Sequence, residues 1–472
     1  MAPLAEHHSR DTSTTIDTAP GLIESDVPPA DGDNMPIKTT RRQALRNLGL
    51  GGLAGLAGGV PLSAARVGRK PLPVAAVVTQ YWEYSHADVI LGKILEGWQQ
   101  LGGPGPNLEV VSVYVDQFPD KDLSRMLSKK HGFRIANTID EAVTLGTNTV
   151  PVAGVLSIGE HGDYPSTPDT RQKLYPRRRF FDEIVAAMRR CNKFVPLFND
   201  KHLGFRWQDA KHMVDTARRY RIPFMAGSSV PVTWRYPAWD IPAGSPIQQA
   251  MVVGHSTAEP YLFHALEGLQ CIVERRRGGE TGVTAVTALR GEQIREAEKR
   301  GDWSRTVLKS ALRAVGAPTT NLDQRIAHPQ TVFFLIEYRD GLKATAAMIL
   351  DAVGPNPPKY SCQLAVACQV ENQAEPFACW MKTPGIPFPH FSELLQGIEH
   401  MVHTRTPAYP VERTLLTTGV LDRMMHSLHP QKGKRLPSPE LAIRYKTPRW
   451  KFANEANPTK PERTRDTWSR SY

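Results

Sequence analysis

At 472 residues the chain is too long for one ordinary hydrophobic core and implies two or three domains. Its 40% hydrophobic content excludes disorder over most of its length, and the lack of a repeat excludes collagen, coiled-coil and low-complexity classes. Five scattered cysteines without a CxxC pair argue against a zinc ribbon or a disulfide scaffold, and the net charge of +11 becomes +13 once the acidic first 65 residues are set aside. That excess lies in short runs such as Arg177–Arg179 and Arg275–Arg277 with no interleaved aromatics, which favours helix faces or attraction of an anionic substrate over nucleic-acid binding.

Residues 1–34 hold one Arg against seven acids and read as a disordered extension, with Met35 an alternative start. The pair Arg41-Arg42 heads an uncharged stretch from Asn47 to Ala65, and this pattern over 35–65 resembles a twin-arginine export signal. Six glycines and Pro61 keep the stretch below the hydrophobicity of a membrane helix, which needs ~20 strongly apolar residues. Ser63 and Ala65 suit a small-x-small cleavage site. The expectation is a chain that uses the twin-arginine export machinery, has no permanent membrane span, and is exported to the periplasm or another extracytoplasmic space of a bacterium.

From residue 66 to 230 short apolar runs alternate with helical periods. Strands are predicted at 74–78, 109–115, 133–136, 152–158, 194–198 and 223–227. Helices are predicted between them at 87–101, 120–131, 138–145, 177–191 and 207–220. This alternation predicts an α/β fold with a Rossmann-like, doubly wound parallel sheet. Over 231–450 the strands come in longer runs, at 247–253, 283–289, 331–339, 343–350, 360–370 and 376–381, with an Asp340-Gly341 hairpin turn. Helices at 259–276, 391–404 and 411–428 complete an α+β domain, expected as a mainly antiparallel sheet with helices on one face, ahead of a loose basic tail at 451–472.

Ligands on doubly wound sheets gather at the carboxyl ends of the strands, which places Asp116, the loop 159–165 and the segment 199–202 together. The first βα turn, Thr79-Gln80-Tyr81-Trp82-Glu83-Tyr84-Ser85-His86, contains no glycine. Bulky side chains there obstruct the backbone's approach to a pyrophosphate, so the turn alone argues against standard dinucleotide binding, while Ser85 can cap the next helix. Asp116 ends the second strand, where a carboxylate can accept hydrogen bonds from a ribose diol. Glu160, His161 and Asp163 with Asp200 and His202 offer either sugar hydrogen bonds or ligands for a divalent metal, without a helical spacing that selects the metal. Trp234, Tyr236 and Trp239 can stack on a sugar face or pack a domain junction.

Two stretches carry a resemblance. Phe198-Asn199-Asp200-Lys201-His202-Leu203 precedes a helix and the strand Phe224-Met225-Ala226-Gly227, and Glu259–Arg276 holds His264. In element order the chain resembles the glucose–fructose oxidoreductase/inositol dehydrogenase (Gfo/Idh/MocA) family over 73–445. In that family a strand ends in Glu-Lys-Pro-Leu and a second-domain helix carries an Asp-x-x-x-His pair. Lys201 takes the lysine position, with Asp200 for Glu and His202 for Pro. His264 takes the histidine position, and Pro260 stands where the aspartate is expected.

The resemblance implies hydride transfer between a nicotinamide cofactor, NAD or NADP, and a sugar or polyol. His264 would be the acid/base and Lys201 the group that orients the hydroxyl. Ser85, Asp116, Asp200 and Lys201 would meet the cofactor, and His161, Asp163 and Trp234 the substrate. It also implies a homo-oligomer built through the second-domain sheet. A cofactor-free carbohydrate-binding protein on the same fold, or a metal-assisted lyase or hydrolase, remain the alternatives.

Overall fold

The computed structural model describes residues 70–453 apart from 239, 258, 350–351 and 353–362. The extension, the export signal, Trp239 and most of the tail lie outside the described residues.

The first sheet has six parallel strands, β1 (Leu72–Val78), β2 (Leu108–Val115), β3 (Arg134–Ala136), β4 (Gly154–Ile158), β5 (Leu197–Asp200) and β6 (Phe224–Gly227). Their order is β3-β2-β1-β4-β5-β6, so the winding reverses between β1 and β4. The run Val74–Val78 is fully buried, as a central strand covered on both faces must be. Crossovers are made by α1 (His86–Glu96), α2 (Ser124–His131), α3 (Ile139–Thr144), α4 (Arg177–Arg190) and α5 (Trp207–Arg219). Ala75 and Val77 face the core under α3 and α4, whereas Val74, Ala76 and Val78 face the core under α1 and α2. The sheet is therefore doubly wound, as the alternation predicts. Helix α1 ends at Glu96, short of the predicted 101, because Gly97 turns left-handed with φ 80°. A Cβ on Gly97 would stand 2.7 Å from the Gly103 carbonyl oxygen, so the turn there needs glycine.

The second sheet has eight strands. They are β7 (Trp234–Tyr236), β8 (Ile247–Gly254), β9 (Val283–Leu289), β10 (Val332–Tyr338), β11 (Lys343–Met348), β12 (Gln363–Val370), β13 (Phe377–Lys382) and β14 (Leu436–Pro437). The order is β14-β9-β10-β11-β8-β12-β13-β7, antiparallel except for the β8/β11 pair. Gly341 has φ 90° in the β10–β11 turn, the conformation the Asp-Gly signal requires.

One expectation fails here. Helices cover both faces of this sheet, not one. Helix α6 (Glu259–Val273) lies against one face, and α7 (Glu292–Lys299), α8 (Arg305–Ala314) and α9 (Leu322–Ala327) cover the other. Ile294, Ala297, Val307, Leu308, Ala311, Leu312 and Ile326 pack on Met251, Val253, Phe333, Ala347, Ala365 and Ala367. Those sheet residues alternate along their strands with the ones facing α6, so both faces are apolar and both must be buried.

Two later helices tie the sheets together. Helix α10 (His390–Thr404) packs beside α1 on the first sheet, and α11 (Val411–Leu428) packs on α5, α6 and β9. Among the described residues no helix is long and apolar enough to cross a membrane.

Candidate active site

The carboxyl ends of β4 and β5 and the starts of α1, α4 and α6 deliver a cluster of charged and imidazole side chains. His86, the first residue of α1, donates from Nδ1 to Asp200 Oδ2 at 2.6 Å. Asp200 is fully buried, and its Oδ1 has no hydrogen-bond partner within the chain. The His86 side chain keeps 15% of its surface exposed, so Asp200 holds a ring that is still partly open to solvent.

Lys201 follows β5 in a left-handed conformation, φ 68°, and its backbone N–H donates to the Gly227 carbonyl. That turn sends Nζ toward α6, where it donates to His264 Nε2 at 2.6 Å and stands 3.7 Å from Glu160 Oε1. Because Nε2 accepts, the His264 proton belongs on Nδ1, a buried atom with no partner in the chain.

Arg177, the first residue of α4, is buried between the two loops. Its guanidinium donates to Glu160 Oε2 and, at 2.8 Å, to His202 Nε2. His202 in turn donates from Nδ1 to the Gly204 carbonyl at 2.9 Å. Gly159 makes room for this arrangement, since a Cβ on it would lie 2.8 Å from Arg177 Cγ. Glu259 at the start of α6 closes the chain of contacts, 3.4 Å from His202 Nε2 and accepting the Lys173 amide at 3.0 Å.

Burial and neighbouring charge set the protonation states. Burial works against the Glu160 carboxylate, but Lys201 and Arg177 outweigh it and hold the carboxyl well below its usual range. Burial, then Arg177, keeps His202 neutral far below its ordinary pKa. Burial and Lys201 do the same to His264. His161 is lowered to about 4 by burial and by His86. Glu259 goes the other way, to about 7, because burial outweighs Arg177 and its hydrogen bonds. Neutral imidazoles therefore line a site that also holds a lysine and an ionised carboxylate.

The sequence-predicted residues fall into three groups. Lys201, His264, Asp200 and His161 meet in the cluster; His161, with φ 70°, packs its ring 5.4 Å from His86 and 4.9 Å from Trp82. Ser85 and Asp116 lie nearby but are committed to the chain's own structure. Ser85 caps α1 by accepting the Asp88 amide, and Asp116 accepts from Tyr114, Tyr164 and Arg179. Burial opposes ionisation of Asp116, but those three donors lower its pKa. Asp163 is exposed, held only through its backbone by Gln117. Trp234 is buried in edge strand β7, whose register pairs it with Lys382, so it belongs to the second sheet and not to the strand ends that carry the cluster.

Sequence reasoning missed His86, Arg177 and Glu259 as members. Their signal is positional: each is at the first residue of a helix that starts above the sheet. Among the described residues no group of three or more His, Cys, Asp or Glu is disposed to hold a metal ion. The guanidinium of Arg177 stands between Glu160 and His202, which the metal alternative would have used as ligands.

No family model and no curated protein matches the chain. Solved structures do. GenD2 from gentamicin A biosynthesis, in complex with NAD, matches with TM-score 0.50 and 13% identity over 82% of this chain and 99% of that one. A probable dehydrogenase from Thermotoga maritima matches with TM-score 0.47 and 10% identity, covering 78% of this chain and 100% of that one. A putative myo-inositol dehydrogenase from Sinorhizobium meliloti 1021 matches with TM-score 0.46 and 10% identity, covering 78% and 99%. The chain shares its two-domain fold with GenD2: a Rossmann-like domain followed by a mainly antiparallel sheet domain.

Proposed function

We propose that this protein is an oxidoreductase acting on a hydroxyl carbon of a sugar or polyol. The observation that carries the reading is the Lys201 Nζ to His264 Nε2 contact of 2.6 Å at the strand ends, in a fold whose solved example GenD2 holds NAD. Oxidising a carbinol removes a hydride and a proton. A nicotinamide dinucleotide, NAD or NADP, supplies the hydride acceptor when bound.

The proton belongs to this chain's residues. The Lys201 ammonium donates to the hydroxyl oxygen and offsets the negative charge that builds there. His264, with its Nδ1 proton, is a neutral donor in this state and becomes the acid/base once Lys201 turns from Nε2 to the substrate. Glu160 and Arg177 hold the lysine in place. The twin-arginine pattern supports export of the folded protein to the periplasm or another extracytoplasmic space, and a homo-oligomer would have to form on a surface other than the roofed sheet.

The residues present fit the cofactor at one end only. At the reacting end, buried donors and neutral imidazoles suit a nicotinamide and a carbinol. At the diphosphate end, the amides that usually meet phosphate are committed within the turn. That misfit favours a second reading, a cofactor-free carbohydrate-binding protein on the same fold. The test is Lys201→Met with a panel of sugars and polyols and NAD(P)+. The proposal expects turnover by the parent protein and a loss of about 100-fold or more in the variant. Equal rates in both remove Lys201 from the reaction.

A further inference from the structure

We infer that the chain fills the diphosphate seat of its own fold with the Asp88 carboxylate, so that the N-terminus of α1 no longer serves as an anion site. The inference goes beyond the proposed function and stands under either reading of it. In a doubly wound sheet that seat lies at the switch point, here between β1 and β4. The first helix aims its N-terminal amides at the phosphates, and glycines let the ligand come close.

Each of these provisions is replaced. The turn carries Tyr81 and Ser85, both fully buried, where glycines would leave space. Asp88, the third residue of α1, is also fully buried, and its Oδ2 accepts the Tyr84 amide at 2.9 Å. Ser85 Oγ accepts the Trp82 amide at 3.1 Å and the Asp88 amide at 3.2 Å, and the Ser85 amide donates to the Trp82 carbonyl at 2.9 Å. Four turn amides are thus used inside the chain, and a carboxylate already takes the favourable place at the positive end of the helix. A diphosphate arriving there would face like charge, with these four donors already taken.

Two neighbouring contacts close the same crevice. Thr79 continues the pairing of β1 with β4 beyond their ends, its amide donating to the Ile158 carbonyl at 3.2 Å and its Oγ1 to the Glu160 carbonyl at 2.5 Å. The place of an adenosine ribose is taken as well. Asp116 accepts from Tyr164 at 2.6 Å and from Arg179 at 2.5 Å, and Gln117 clamps the Asp163 backbone at 2.8 and 3.0 Å.

The experiment is calorimetric titration of NADH and of NADPH into the full chain and into Asp88→Asn. Asparagine can still accept the Tyr84 amide, and Asp88→Ser, which also keeps an oxygen at this helix position, is the second variant should the first unfold. The expected result is a Kd in the millimolar range or weaker for the parent, tightened about tenfold by removing the charge. Micromolar binding by the parent overturns the inference, and so does unchanged affinity in both folded variants. Failure of the oxidoreductase reading looks different: no sugar-dependent reduction of NAD(P)+ at millimolar cofactor, even in a variant with improved binding.

Discussion

Arg177→Met puts the largest single demand on the site's electrostatics. Arg177 is 1% exposed and spans Glu160 and His202. Methionine fills much of the volume but leaves the Glu160 carboxylate with only Lys201, 3.7 Å away, and strips His202 Nε2 of its donor. Removing one partner of a buried ion pair costs about 3–5 kcal/mol, because the remaining charge stays desolvated.

At roughly 2 °C per kcal/mol for a large domain, the midpoint of thermal unfolding at pH 7 should fall by about 6 °C or more. The sign of the pH dependence follows from the same pair. The Glu160 pKa is depressed in the folded protein, so its contribution is present above the unfolded value and is lost as pH falls through the folded one. The variant should therefore lose stability mainly above about pH 4.5, where an unfolded glutamate is ionised. Adding Glu160→Gln should recover part of the loss, since it removes the stranded charge. The assay is calorimetric unfolding of the parent, both single variants and the double variant. A midpoint for Arg177→Met within a degree of the parent, or strict additivity in the double variant, would refute this reasoning.

Further outcomes follow from other parts of the structure. Glu267 is fully buried on α6 and its pKa is raised to about 7, burial outweighing the Ser228 amide and Arg413. The folded state therefore holds this proton more tightly than the unfolded chain, and stability declines as pH rises from about 4.5 through 7. Glu267→Gln should unfold at a higher temperature than the parent at pH 8 and at the same temperature at pH 4; equal midpoints at pH 8 would count against the assignment. Gly227→Ala puts a Cβ 2.6 Å from Glu267 Oε2 in a backbone of φ 124°, and urea unfolding should show a loss of about 1–3 kcal/mol. A loss too small to measure would mean that α6 can yield there. Asp200→Asn should free the His86 ring, seen by NMR as changed His86 ring chemical shifts and ring contacts at a single pH; an unaltered ring spectrum would show that the 2.6 Å contact does not orient the ring.

Much of the architecture was legible because its elements are local patterns. The fully apolar run of β1, the Gly132 stop after α2 and the Asp340-Gly341 turn each encode one element. Helices α7–α9 were not read, although Ser304 caps α8 and Val307, Leu308, Ala311 and Leu312 mark one face. Their charged exposed faces make the stretch look like a linker until the second apolar face of the sheet is seen to need a cover. At the site, chain order could place Asp116, 159–165 and 199–202 on one rim, since parallel strands end on one side. It could not pair His86 with Asp200, 114 residues apart, or show Arg177 entering beside Gly159. Nor could it tell that Ser85 and Asp116 would be spent on the chain's own hydrogen bonds.

The central claim is that the strand-end cluster around Lys201 oxidises a sugar or polyol hydroxyl. Its most direct test is nicotinamide absorbance at millimolar NAD(P)+ with a panel of sugars and polyols, run on the full chain and on Lys201→Met. The account predicts substrate-dependent reduction by the parent, and about 100-fold less or none by the folded variant. No reduction with any member of the panel, or equal rates from the two proteins, would contradict it.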